Sequence, residues 1–123
     1  MVETNHITLS SIAHGRSGDK GNHANVAMIA YTTAGYEWLR KNLTEEVVRD
    51  YFAKLNPRKV VRFEAANVLG FNFLLYDVLG GGASRSLRID TQGKTLALAL
   101  LQMPIEPGEY LHAMIRPTTR AKP

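Results

Sequence analysis

The chain has 123 residues, no cysteine and a formal net charge of +4. That length fits one domain able to bury roughly two-thirds of its extended surface, and the missing cysteine excludes disulfides, thiolate zinc sites and a cysteine nucleophile. Arg116, Arg120 and Lys122 fall in the last eight residues, so 4 − 3 leaves +1 on the rest, a balance that argues against nucleic acid as a partner.

The N-terminus carries no basic stretch followed by an apolar one, and no later run approaches the roughly 18 apolar residues of a membrane span, so a cytoplasmic protein without membrane contact is expected. His6 to Ala13 alternates at Ile7 and Leu9 and slips at Ser10-Ser11, which predicts a strand with a bulge. A polar loop, Arg16 to Asn25, follows. Asn25 to Tyr31 is apolar on both faces and predicts a central strand.

Thr33 is positioned to cap a short helix through Tyr36, Trp38 and Leu39, with Glu37 in its first turn. Thr44 caps a second, from Glu45 to Leu55, whose Val47, Val48, Tyr51, Phe52 and Leu55 form an apolar stripe directed at the core. Asn56-Pro57 stops that helix, and Val60 to Ala65 alternates as a strand. Gly70 to Leu79 fits a buried strand or two helical turns, and a short helix is favoured. Ser86 to Asp90 predicts a short strand. Asp90 or Thr91 then caps a helix through Leu96, Ala97, Leu100, Leu101 and Met103, closed by Pro104. Gly108 to Arg116 alternates as a last, edge strand. The pattern predicts an α+β two-layer sandwich, a largely antiparallel sheet with helices on one face, and specifically a ferredoxin-like βαββαβ order.

The densest chemistry lies in Arg16-Ser17-Gly18-Asp19-Lys20-Gly21-Asn22-His23-Ala24-Asn25. A turn needs one or two such residues; this stretch holds two cations, an anion, two glycines and two asparagines. Arg16 supplies a bidentate fork and Lys20 a point charge, and glycine-bearing backbone N–H groups can form an anion nest, a set suited to phosphate or carboxylate. The spacing is not that of a P-loop. Two other readings stand beside anion binding: an ordered connection that satisfies its own backbone, and a contact between subunits. Asp77, behind Phe73, Leu74, Leu75 and Tyr76, is expected to be desolvated with a raised pKa suited to acid/base work.

The same motifs carry a resemblance. Arg16 to Asn22 with Ala24-Asn25, Tyr51-Phe52, Asp77-Val-Leu-Gly-Gly-Gly82, Ser86-Leu87-Arg88, Asp90 and Gly93-Lys94 together resemble the small ferredoxin-fold domain at the C-terminus of acyclic terpene utilisation protein A (AtuA), over residues 7 to 105. The single domain then has a core of about 6–105 and a C-terminal extension, 106–123. The resemblance implies a setting in the catabolism of acyclic terpenoids or related acyl-CoA and carboxylic compounds, and leaves the reaction and any cofactor unassigned.

On these grounds Lys20 and Asp77 are the candidate catalytic residues. Arg16, Ser17, Gly18, Asp19, Gly21, Asn22, Asn25, Gly80, Gly81 and Gly82 are the candidate lining of an anion site for an acyl-CoA or carboxylate. His6, His14, His23 and His112 show no ligand spacing, so no metal is expected. The alternative is a non-catalytic assembly module that docks a separately encoded partner of the AtuA N-terminal type or a copy of itself. A homodimer is expected, because a two-layer sandwich leaves one sheet face uncovered.

Overall fold

The computed structural model describes residues 7–78 and 96–115. Two hairpins form its sheet. Strands β1 (Ala13–Lys20) and β2 (His23–Ala30) make the first, and β3 (Lys59–Ala65) and β4 (Gly70–Tyr76) the second. Helices α1 (Thr33–Asn42) and α2 (Glu45–Tyr51) connect the hairpins. Helices α3 (Leu96–Leu101) and α4 (Leu111–Met114) follow. The sheet is antiparallel throughout, in the order β1-β2-β4-β3.

The α+β sandwich is therefore as expected, but the order of the described elements is two strands, two helices, two strands and helices rather than βαββαβ. Because β4 lies between β2 and β3, the path β2-α1-α2-β3 is a split βαβ unit, and β1, arriving first in the chain, fills the sheet position beside β2.

Strand alternation explains which face is buried. Ala24, Val26, Met28 and Ala30 of β2, with Phe71, Phe73 and Leu75 of β4, are in the core beneath α1 and α3. Leu39, Val48, Leu96, Ala97 and Leu100 meet them from the helices. Thr44 caps α2 as expected, its side chain accepting the Val47 N–H at 3.2 Å.

Several expectations are corrected. The stretch Arg16 to Asn25 is no loop: it is the hairpin itself, turned at Gly21-Asn22, where Gly21 takes φ +62° and supplies the positive φ that a two-residue hairpin needs. Leu9–Ser11, expected in a strand, is a 3-10 turn, because Leu9 and Ile12 are both fully buried and a turn brings that spacing to one side. Thr32 rather than Thr33 caps α1, accepting the Gly35 N–H at 3.0 Å, and Glu37 lies beyond the first turn, paired with Arg40.

Helix α2 ends at Tyr51, and Ala53–Leu55 is a 3-10 turn closed by left-handed Asn56 at φ 50°. Within the expected stripe Val48, Phe52 and Leu55 are buried, whereas Tyr51 is exposed and donates its hydroxyl to the Ala99 carbonyl at 2.6 Å. The favoured helix at Gly70 to Leu79 is strand β4, since Phe71, Phe73 and Leu75 all reach the core at period two. The last expected strand is a 3-10 turn, Gly108–Tyr110, followed by α4; Leu111 and Met114 are a helical turn apart and pack against α1. The expected strand at Ser86 to Asp90 and the cap at Asp90 or Thr91 lie outside the described residues. Among the described residues no helix is long and apolar enough to cross a membrane.

Candidate functional site

Because Arg16 to Lys20 is extended, its residues divide between two faces. Ser17 and Asp19 pair with Val26 and Ala24, whose side chains enter the core, while Arg16, Gly18 and Lys20 pair with Ala27, Asn25 and His23 on the other side. The expected anion nest is not formed, since consecutive N–H groups in a strand point to opposite edges and cannot converge on one ion. Ser17 is committed to the fold: its Oγ accepts the Ala97 N–H at 3.2 Å at the start of α3. Gly21 and Asn22 are exposed in the turn.

The register then assembles a row of groups at one end of the outer sheet face. Lys20 is opposite His23, and Tyr76 is opposite Lys59. The His23 and Tyr76 rings close the row at 4.8 Å between centroids. The Arg58 guanidinium and the Lys59 ammonium lie 5.3 and 5.4 Å from the Tyr76 ring centre, within cation–π range.

Asp77 closes this end. It takes a left-handed backbone, φ 58°, and its N–H donates to His23 Nδ1 at 3.0 Å. Its carboxylate accepts from Arg58 Nε, and Oδ1 lies 3.7 Å from His23 Nδ1. The side chain is 40% exposed rather than desolvated. The Arg58 hydrogen bond holds the carboxyl below the usual carboxylate range, the reverse of the expected shift, and so removes the ground for an acid/base role. Asp77 positions Arg58 and His23 instead.

One row inward, Asn25 Nδ2 donates to Asn72 Oδ1 at 3.3 Å beside Gly18, where a Cβ would come within 3.2 Å of Asn25 Oδ1. Arg16 is exposed at the edge of the next row. Thus Arg16, Gly18, Lys20 and Asn25 share the outer face, and Asp77 stands at its charged end, whereas Ser17 and Asp19 belong to the opposite side. Gly80, Gly81 and Gly82 lie outside the described residues. His23, Arg58, Lys59 and Tyr76 were not singled out in the sequence. Their signal is the pairing register of two hairpins, one turned at Gly21-Asn22 and one between Ala65 and Gly70, joined by the His23–Tyr76 contact. The groove between α1 and α4, about 450 Å³ and lined by Trp38, Lys41 and Met114 among others, holds none of the candidate residues. Among the described residues no group of three or more histidines and carboxylates is placed to hold a metal ion.

An antiparallel four-stranded sheet with helices packed on it and a split βαβ unit at its centre defines an α+β domain of ferredoxin-like type. The chain belongs to the AtuA ferredoxin-like domain family, whose model matches residues 7–106. No significant match is found among curated proteins or solved structures.

Proposed function

We propose that the domain binds an anionic group, phosphate or carboxylate, at the charged end of its outer sheet face, as a binding domain or subunit in the metabolism of acyl-CoA or related carboxylic compounds. The observation that carries this reading is the row Lys20–His23–Tyr76–Lys59 with Arg58 beside it, where Asp77 provides a carboxylate already engaged by Arg58. Neighbouring cations without an equal number of carboxylates lower the cost of placing an anion among them, and charge-assisted hydrogen bonds to it contribute roughly 1.5–3 kcal/mol each. Gly18 keeps the adjacent position on the edge strand clear of a side chain, so Arg16, two rows inward, can serve the same ligand.

Isothermal titration with a CoA thioester and with a simple dicarboxylate tests the reading. Lys20→Ala and Lys59→Ala should each weaken binding at least about tenfold, equivalent to 1.4 kcal/mol, at unchanged stability. Unchanged affinity in both folded variants rejects it.

The alternative, an assembly module, draws its support from Ala27, Val61, Phe63 and Leu74 further inward on the same face, which carries no helix among the described residues.

A further inference from the structure

We infer that His23 is a proton-operated switch on the anion site: the protonated ring gives up the hydrogen bond from the Asp77 N–H and turns to the Asp77 carboxylate, and the site then holds its anion more tightly. The inference rests on the anion reading above and adds its regulation.

The atoms of the switch already adjoin one another. Nδ1 of His23 accepts the Asp77 N–H at 3.0 Å, a bond open only to an unprotonated nitrogen. Oδ1 of the same aspartate stands 3.7 Å from Nδ1, just beyond hydrogen-bond reach. Arg58 engages Oδ2 and leaves Oδ1 without a donor among the described contacts. A proton on Nδ1 would set two N–H donors against each other, and Oδ1 is the acceptor at hand. The His23 side chain is 35% exposed and its ring is tilted 55° from that of Tyr76 instead of lying flat on it, so a small rotation can make the exchange.

Two consequences reach an anion at this end of the sheet. The ring contributes one positive charge, and the Asp77 N–H, released from its acceptor, is free to donate. Coupling of this kind is reciprocal, so a bound anion in turn draws a proton onto His23.

Histidine ordinarily changes charge between about pH 5 and 8. The groups around the ring belong to other ranges. On β1 the register sets Lys20 opposite His23 and sends Asp19 to the core side. On β4 Tyr76 touches the ring, and the Arg58 hydrogen bond holds the Asp77 carboxyl below the usual carboxylate range. From the β3 side Arg58 and Lys59 reach the Tyr76 ring. Lysine, arginine and tyrosine ordinarily titrate at about pH 10 or above. The helices among the described residues pack on the other face.

Titration calorimetry with sulfate, a dianion throughout this range, tests the switch at low ionic strength. Even at the dielectric of water, a unit charge about 6 Å from an anion changes affinity about threefold. Wild-type affinity should rise by at least that factor from about pH 8 to about pH 5.5, with proton uptake on binding, read as a dependence of the heat on the buffer. His23→Asn retains an acceptor near the Nδ1 position and cannot take the charge, so it should lose the pH dependence; His14→Asn, at the far end of the face, should keep it. In the wild type without sulfate, the Asp77 amide resonance should move with the His23 ring as pH falls. Sulfate binding indifferent to pH, a pH dependence that persists in His23→Asn, or an Asp77 amide unmoved while the ring titrates overturns the switch and leaves the anion reading standing. Absence of sulfate binding at both pH values rejects that reading, and the switch falls with it.

Discussion

The backbone N–H of Asp77 donates to Nδ1 of His23 across 3.0 Å, tying the end of β4 to the start of β2. An accepting Nδ1 carries no proton, so the ring is neutral in this bond and its Nε2 bears the hydrogen. The bond holds Asp77 in its left-handed backbone, and from there the carboxylate reaches Arg58. His23→Phe keeps a ring against Tyr76 but removes the acceptor. We expect a loss of about 1 kcal/mol, the net worth of one neutral hydrogen bond, read from urea unfolding. A phenylalanine variant as stable as the wild type would show that Asp77 is held by Arg58 alone.

The Asp77–Arg58 pair predicts a pH dependence. The folded-state pKa of Asp77 is lowered, chiefly by the hydrogen bond from Arg58. A carboxyl so depressed stabilises the fold fully above its unfolded value, about 3.9, and the contribution is lost as pH falls through the lower folded value. Melting temperatures of the wild type and Asp77→Asn should therefore differ at neutral pH and converge in acid, below the ordinary carboxylate range. Curves that converge at neutral pH and separate in acid would reverse the sign and contradict the assignment.

What the sequence discloses depends on how cleanly one period dominates. Strand β3 and helix α2 carry a single period with polar punctuation on both sides, and both form, although α2 stops at Tyr51 short of the expected Leu55. Strand β4 does not, because Leu74 and Leu75 are adjacent apolar residues serving opposite faces, one half-covered and one in the core, so alternation blurs into a run that also fits a helix. Strand β1 fails for the opposite reason. As an edge strand with Arg16, Gly18 and Lys20 on its outer side and Gly15 and Ser17 inward, it has too few apolar residues to show a period, and its composition imitates a loop. The charged row is less legible still: Lys20 and Lys59 join it through two hairpin registers and a contact between His23 and Tyr76, and no linear spacing encodes that.

Glycines 15 and 18 on β1 separate packing from function. A Cβ at Gly15 would strike the Ala27 carbonyl oxygen at 2.6 Å and the Met28 methyl group, so Gly15→Ala must move backbone and should cost about 1–3 kcal/mol through overpacking. A Cβ at Gly18 meets only the Asn25 amide oxygen, at 3.2 Å, on a side chain able to turn. Gly18→Ala should cost clearly less. Thermal unfolding of the pair decides the order, and equal losses would refute this account of Gly15.

Arg62 ties the end of α1 to the sheet. It lies on the helix side of β3, its side chain only 16% exposed, with the guanidinium over the Phe71 ring at 4.8 Å. One terminal nitrogen donates to the carbonyls of Arg40, at 3.0 Å, and Leu43, at 2.9 Å, which are the groups that the end of α1 leaves without helical partners. The other donates to Glu64 Oε2 at 3.1 Å. A cation at a helix C-terminus is favoured by the dipole as well as by the bonds themselves. Arg62→Met retains the packing over Phe71 and removes every donor, and the loss expected is about 1.5–3 kcal/mol, the range for hydrogen bonds to a charged group. Arg62→Lys keeps the charge but cannot span both carbonyls and Glu64 with one ammonium, so it should fall between the two. Glu64→Gln, which disturbs only the exposed partner, should change stability by less than about 0.5 kcal/mol. Urea titration gives the order, with hydrogen exchange in the last turn of α1 as the local readout. Faster exchange there in Arg62→Met than in Glu64→Gln assigns the effect to the helix end, whereas a methionine variant as stable as the wild type would show that water serves those carbonyls equally well.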